Sequence, residues 1–500
     1  MSPGPRRPIP PQDGLWLLLD RPTNLLVITS VMWTAEPVDP ERLRAGIEER
    51  LLGRYPVFRQ RPVLHEGAVR TGYWEDDPDF DLDRHLVVRP MPAPGTRAAL
   101  QRFVGEQLGV PLDRDRPLWT IQLLQGYGSG SAVVQRFHHA IADGIRLTQV
   151  MLGILDPLTA GEQEPAARVG TSGPVHDGEH LSVLASSVAR GFGGGPLLGA
   201  ASAVTSLLPR SVRPGRLLDA VAETGTTLLN TAGSTVKIAA WANPRSALSG
   251  TPGVEKSAVW GDPAPLPVLA GIARATGTSV GDVCAALVAG AVSRYLAGRG
   301  DGDARDLAWM VPVNLEPFDR ALPPELGNHF ALVIAVLPHE PVGFRDRLAE
   351  VHRRLARIRD SYEPALTYAL ARGIALGPTG VGTRASDLLA AKAVGVLTNV
   401  PGPRAPMAIA GARVDGVVGW APCSGPQVVT ACVFSYAGQV TVGFGTDRRV
   451  VPDPENLVAA FDAELAAARD AVPVTAPVTP GPPAPRPAGA ATRTSSTTRS

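Results

Sequence analysis

Over residues 1–160 the apolar positions alternate between two periods. Leu25 to Thr34, His85 to Val88, Trp119 to Leu124 and Ser131 to Phe137 are short apolar or alternating runs of strand length. Pro40 to Leu52, which follows the N-capping residue Asp39, and Arg97 to Leu108 instead repeat apolar residues every three or four positions, as helices do. Val63 to Trp74 has the outline of a hairpin, and Gly126-Tyr127-Gly128-Ser129-Gly130 is a turn that pairs the strands on either side of it. The last strand runs into Phe137-His138-His139-Ala140-Ile141-Ala142-Asp143-Gly144, after which Ile145 to Leu152 takes up helical spacing.

From Gly161 to Asp177 the chain turns polar and carries Pro and Gly, the composition of a linker. Leu181 to Leu208 and Leu217 to Trp241 are amphipathic helical patterns, split by Gly193-Gly194-Gly195 and by Pro209 to Pro214. They predict a helical crossover packed on the body, or helices that cover a lipid tunnel or lie on a membrane interface. A second alternating half begins near Val254. Its helices are expected at Pro265 to Ala275, Val280 to Leu296, Arg345 to Ile358 and Glu455 to Ala471. Its strands are expected at Leu307 to Val313, His329 to Leu337, Ala393 to Leu397, Ala412 to Val418, Val428 to Ser435 and Val440 to Phe444. Beyond Pro473 the chain is Pro, Ala, Ser and Thr, which predicts a disordered tail. The pattern thus predicts an α/β chain of mixed sheets in two halves, 1–160 and 251–471, with a linker and helical crossover at 161–250 and a tail at 472–500. A length of 500 residues, beyond the size at which one core keeps growing, agrees with two halves.

Composition removes several function classes. A net charge of +1 gives no electrostatic basis for binding nucleic acid or a broad anionic surface. Cys284, Cys423 and Cys432 have no CxxC spacing, so neither a disulfide framework nor a thiolate metal site is expected, in keeping with a reducing cytoplasm. The N-terminus leads into no apolar signal core, and no uninterrupted apolar run reaches the roughly 18 residues of a spanning helix. Without a GxxxxGK, HExxH or Rossmann glycine pattern, phosphoryl transfer, zinc hydrolysis and hydride transfer lack support.

Candidate chemistry therefore concentrates in His138-His139-x3-Asp143-Gly144. An imidazole at a strand end can serve as a base near neutral pH, because its unperturbed pKa is about 6.5. A carboxylate at the following helix start can fix the loop, and a glycine lets backbone or ligand approach closely. The plainer alternative has two half-buried histidines satisfied by carbonyls, with Asp143 as a helix cap.

This octet resembles the wax ester synthase/acyl-CoA:diacylglycerol acyltransferase family, within the chloramphenicol-acetyltransferase-like and condensation-domain fold. Further stretches carry the resemblance to about residue 470: Asp13-Gly14-Leu15-Trp16 with Pro22-Thr23-Asn24, Arg116-Pro117-Leu118-Trp119, Val311-Pro312-Val313-Asn314-Leu315, Leu326-Gly327-Asn328 and Thr398-Asn399-Val400-Pro401-Gly402-Pro403. The resemblance implies two acyltransferase-like halves with the active site at their interface, acyl-CoA as co-substrate, and no cofactor or metal. It implies that His139 is the general base, that His138 is mainly structural and that Asp143 organises the loop. Pro117, Leu118 and Trp119 are then expected on the channel wall, beside the plainer reading of an extended X-Pro entry to a strand with a packed Trp. Asn314 and Asn399 are expected to hold a substrate carbonyl or pantetheine amide, although Asn beside Pro or Gly is as often a turn residue. Gly144, Asp282 and Thr398 complete the expected substrate-binding set. Where the family usually has Asn-Asp, this chain has Gly281-Asp282, so only the acid carries over. The implied reaction is acyl transfer to diacylglycerol or a long-chain alcohol by a cytoplasmic protein that touches membranes or lipid droplets peripherally. Two rival readings stay open: a condensation-type enzyme using carrier-protein thioesters, and a lipid-binding protein without catalysis. Gly277-Thr278-Ser279-Val280-Gly281 matches the GxSxG nucleophile elbow, but that elbow needs a preceding strand and Leu266 to Thr276 reads as a helix. Ser279 with Asp282 reads instead as a capping box.

Overall fold

The computed structural model describes residues 6–65, 71–158, 233, 237, 240–301, 306–316, 321–340 and 342–473. The linker expected at 161–177, the crossover expected over 181–241 apart from a few positions near its end, and the tail expected beyond 473 lie outside the described residues.

In the first half the strands are β1 (Arg7–Pro8), β2 (Val27–Thr34), β3 (Gln60–His65), β4 (Thr71–Asp76), β5 (Leu86–Pro90), β6 (Trp119–Tyr127), β7 (Gly130–His138) and β8 (Asp156–Pro157). The second half supplies β9 (Lys256–Trp260), β10 (Ala264–Pro265), β11 (Leu307–Asn314), β12 (Phe330–Leu337), β13 (Gly395–Pro401), β14 (Met407–Ile409), β15 (Ala412–Trp420), β16 (Val429–Tyr436) and β17 (Gln439–Asp447). One seven-stranded sheet has the order β5-β6-β7-β2-β15-β14-β8, and the other runs β10-β17-β16-β13-β11-β12 with β9 paired to β17. Two strands of the second half therefore complete the first sheet, with Trp420 of β15 opposite Thr29 of β2. The expected boundary near 251 does not separate the sheets, because pairing across it depends on edge complementarity that no local pattern encodes. All nine residues of β7 are buried, which explains why Ala132-Val133-Val134 reads as a continuous apolar run rather than an alternating one.

Helices cover the sheets. Helix α1 (Pro11–Leu19) precedes β2, α2 (Pro40–Ile47) is capped by Asp39 as expected, and the segment to Leu52 continues as a π-turn. α3 (Arg97–Leu108) and α4 (Gly144–Leu152) complete the first half. The second half has α5 (Leu266–Thr276), α6 (Val280–Gly298), α7 (Phe344–Arg359), α8 (Glu363–Leu376), α9 (Thr379–Ala390) and α10 (Glu455–Ala471). α6 is long and apolar enough to cross a membrane by length and composition, yet 78% of it is buried as the central core helix. Gly290 in its middle leaves room for the buried Arg347–Glu464 pair, 2.8 Å apart, since a Cβ there would sit 2.3 Å from the Glu464 carboxylate. The sequence reading did not anticipate α8 and α9. Their small residues and Gly377-Pro378 break obscure the helical period, and part of their apolar surface faces outward.

Candidate active site

The two sheets place the HHxxxDG segment at the seam between the halves. β7 ends with His138 paired to Val27, and the His139 N–H donates to the Leu26 carbonyl at 2.8 Å, fixing both histidines on the backbone of β2. Asp143 is the N-cap of α4: one carboxylate oxygen accepts from the Arg146 N–H at 2.9 Å, the other from the His329 N–H at 2.8 Å. It therefore ties α4 to the loop before β12. Gly327 is bridged to Ala142, and its N–H reaches the Ile141 carbonyl at 2.9 Å. Arg146 adds its guanidinium to the Leu326 and Gly327 carbonyls and to Glu316.

The adjacent histidines are held in opposite tautomers. His138 Nδ1 accepts the Ala140 N–H at 3.0 Å, so its proton lies on Nε2, which is 3.5 Å from Asp20 Oδ2. This ring is buried and turned from the cavity; burial lowers its pKa against the opposing pull of Asp20. His139 behaves differently. Its Nδ1 lies 2.8 Å from Asn328 Oδ1. The Asn328 amide is oriented by its other end, where Nδ2 donates to Asp13 Oδ1 at 2.9 Å and to the His139 carbonyl at 2.8 Å. Both of those partners are acceptors, so Oδ1 must face the imidazole and Nδ1 must carry the proton. Nε2 is left with a lone pair, the arrangement a general base requires. Trp16 stacks on the ring with centroids 4.3 Å apart, and Phe330 lies 5.3 Å away on a tilted plane. Burial pushes the His139 pKa down to about 4, so the imidazole is neutral at physiological pH.

His139 opens on a cavity of about 1130 Å³ between the halves, lined by Ile28, Met32 and Phe137 on one side and Val313, Leu332 and Phe434 on the other. Of the expected site residues, Asp143, Gly144, Asp282, Asn314, Thr398 and Asn399 also line it. Asn314 bonds to its own loop, through Nδ2 to the Glu316 carbonyl at 2.5 Å, the turn alternative named above. Asn399, half-buried on the cavity wall, has no such bond among the described residues. Pro117, Leu118 and Trp119 do not line this cavity, which corrects the channel-wall expectation and agrees with the packed-Trp alternative. Leu118 and Trp119 are fully buried in the first-half core, with Trp119 edge-on to Phe58 and its indole N–H on the Phe58 carbonyl at 2.9 Å. Their effect on the site runs through the Leu118 carbonyl, which accepts the His138 N–H at 3.0 Å. Asn328, Asp13 and Trp16 join the site although no local motif marks them for it, only their place in the family-like stretches Asp13-Gly14-Leu15-Trp16 and Leu326-Gly327-Asn328. The turn is set by the backbone: two successive positive φ angles, 54° at Leu326 and 86° at Gly327, precede Asn328, whose side chain meets His139.

Ser279 is a cap. It starts α6 with Oγ accepting the Asp282 N–H at 3.0 Å while Asp282 accepts the Ser279 N–H at 3.1 Å, and a helix precedes it. Asp282 also takes His352 Nδ1 at 2.8 Å and Arg359 at 3.1 Å; burial alone would raise its pKa, but these bonds hold it below the usual carboxylate range. Ser279→Ala should keep most activity and cost about 1 kcal/mol of stability. A covalent fluorophosphonate adduct on Ser279 would contradict this assignment.

Residues 10–284 match the family model of the wax ester synthase/diacylglycerol acyltransferase catalytic domain, and residues 326–468 match that of the WS/DGAT C-terminal domain. The chain belongs to this family. It is an acyltransferase, with His139 and Asp13 in the first matched region and Asn328 in the second. A Mycobacterium tuberculosis protein named a probable diacylglycerol O-acyltransferase is 26% identical over 463 residues, covering 90% of this chain and 92% of that protein. The fold is similar to that of the wax ester synthase/diacylglycerol acyltransferase from Marinobacter aquaeolei VT8, with a TM-score of 0.62 at 20% identity over 93% of this chain and 99% of that one. It is also similar to the first condensation domain of the calcium-dependent antibiotic synthetase, with a TM-score of 0.55 at 15% identity over 95% and 98%. Both halves thus belong to a shared fold.

Proposed function

We propose that the protein moves a fatty acyl group from acyl-CoA to the hydroxyl of diacylglycerol or a long-chain alcohol, with His139 as general base. The observation that carries this reading is the His139 Nε2 lone pair, fixed by Asn328, at the wall of a large apolar cavity. At about 1130 Å³ that cavity exceeds the ~300–1,000 Å³ of ordinary small-molecule sites, which suits two apolar substrates meeting rather than one. Nε2 takes the hydroxyl proton as the oxygen attacks the thioester carbon. The tetrahedral intermediate then collapses, the C–S bond breaks, and the CoA thiolate leaves with the proton from His139. A thioester is already activated, so no acyl-enzyme is required. The Asn399 amide on the cavity wall is a candidate to bind a substrate carbonyl or pantetheine amide. The test is CoA release from palmitoyl-CoA with diacylglycerol, hexadecanol or a short alcohol. Release that depends on the alcohol, with ester formed in equal amount, supports the reading; no ester with any of the three overturns it.

The same reading requires access to membrane-dissolved lipid. The contact expected over 181–241 lies largely outside the described residues. Among the described ones, three of the most exposed large apolar side chains lie within thirteen positions on α8 and α9: Leu376 at 55%, Val381 at 64% and Leu388 at 70%. Exposed Arg372 and Arg384 flank them, while Asp387 nearby is paired with Arg21. A face of apolar and cationic groups suits a lipid interface. Its inner side, through Ile374 and Ala375, packs on α1, the helix that carries Trp16. In flotation with phospholipid vesicles, replacing all three apolar residues with Ser should reduce the bound fraction several-fold. Turnover of a soluble short-chain pair should persist. Unchanged flotation would show that this face is not the contact.

A further inference from the structure

We propose that Asp13 is a positioning residue of this acyltransfer site: its carboxylate holds the Asn328 amide in the orientation that presents an acceptor to His139 Nδ1, and polarises that amide in favour of the imidazolium formed during proton transfer. The inference rests on His139 being the base.

Asp13 lies on α1, is 2% exposed and is not among the residues lining the cavity, so it acts only through its partners. Those partners belong to one residue. Oδ1 accepts the Asn328 main-chain N–H at 3.1 Å and the Asn328 side-chain Nδ2 at 2.9 Å. A flipped amide would set Asn328 Oδ1 against the Asp13 carboxylate and the His139 carbonyl, two repulsive contacts, while offering a donor to Nδ1. Asp13, together with the His139 carbonyl, therefore sets which tautomer His139 adopts. The main chain is bent to allow this contact: Leu326 and Gly327 both have positive φ, and a Cβ on Gly327 would lie 3.1 Å from Asp13 Oδ2.

A neutral side chain could accept the same two bonds, so the charge needs its own account. Carboxylate, amide and imidazole form a chain in which an anion at the Nδ2 end strengthens Oδ1 as an acceptor, and bonds in such chains reinforce one another. The reinforcement is greatest when His139 carries a proton, the state its burial opposes. The charged groups around Asp13 are Arg7 on β1, Asp143 and Arg146 on the α4 side and Glu325 just before Leu326; the titratable His139 ring lies beyond Asn328. Among them burial dominates and raises the Asp13 pKa to about 7, against the bonds from Asn328 and the pull of Arg7. Because a raised carboxylate pKa means the folded state favours the protonated form, this group destabilises the fold as pH rises through 7.

The experiment compares wild type with Asp13→Asn, which retains an oxygen for both Asn328 bonds and removes the charge. At pH 8 kcat should fall about tenfold in the variant; at pH 6, where wild-type Asp13 is largely protonated, the two should differ less than about threefold. The melting temperature of the variant at pH 8 should be no lower than that of wild type, which separates positioning from structural support. In an Asn328→Ala background the same substitution should add no further loss. An equal loss at both pH values, full activity at pH 8, or an additive loss beside Asn328→Ala overturns the proposal. If His139→Ala is inactive while one of these holds, Asp13 alone is misassigned; an active His139→Ala removes the catalytic reading beneath it.

Discussion

Replacing His139 with Ala should lower turnover at least about 100-fold, the usual contribution of a positioned general base, while leaving the melting temperature close to that of wild type. The ring is 7% exposed and faces the cavity wall, so its removal enlarges an existing space rather than opening a sealed core. The backbone bonds that fix this position, His139 N–H to the Leu26 carbonyl and the His139 carbonyl to Asn328 Nδ2, do not involve the side chain. Fold and catalysis should therefore separate cleanly. The pH dependence gives a second check. Burial lowers the pKa of this group to about 4, and the proposed base is its neutral form, which is populated above that value. Loss of kcat/KM through His139 protonation should appear only as pH falls toward 4 to 5, not near the ordinary histidine value of about 6.5. Activity of His139→Ala within about fivefold of wild type would remove the histidine from the mechanism, leaving the thioester to react by positioning alone.

Much of this site was legible locally. The strand-loop-helix setting of the octet, the capping of α4 by Asp143 and the capping box at Ser279 all depend on residues within a few positions of one another, where spacing carries the physics. What local pattern could not supply is the partner across the seam. Asn328 meets His139 at a separation of 189 residues, and Asp13 meets Asn328 at 315. Neither distance leaves a periodic trace. Pro117-Leu118-Trp119 illustrates the converse: a conspicuous motif beside the octet proves to be core, because Trp119 follows the alternation of β6 onto the buried face with Phe58 and Phe137. The halves themselves were visible as two alternating stretches, but the crossing of β14 and β15 into the first sheet was not. A half-buried strand specifies which of its faces is apolar, not which sheet it joins.

The joint between the halves predicts the second large effect. Asn328→Ala should lower kcat by about 100-fold or more with a smaller change in KM for acyl-CoA, since in the proposed mechanism Asn328 orients the base, and it does not itself line the cavity. Without Oδ1 the imidazole loses the acceptor that fixes its proton on Nδ1, and the ring is free to place that proton on Nε2, where it cannot accept from a hydroxyl. An amide bears no net charge, so the loss should stay below the roughly 10⁴-fold known for a triad carboxylate replaced by its amide. Stability should fall as well, unlike at His139. The His139 carbonyl loses its buried side-chain donor, at about 1–3 kcal/mol, and the Asp13 carboxylate loses one of its two, keeping the Asn328 main-chain N–H. Rates must therefore be compared well below the lower of the two melting temperatures, with folding checked by near-ultraviolet circular dichroism, to which the stacked Trp16 contributes. A well-folded Asn328→Ala enzyme retaining most of its kcat would show that His139 keeps its tautomer by other means, and that the contact between the two family domains at this point holds them together without setting the base.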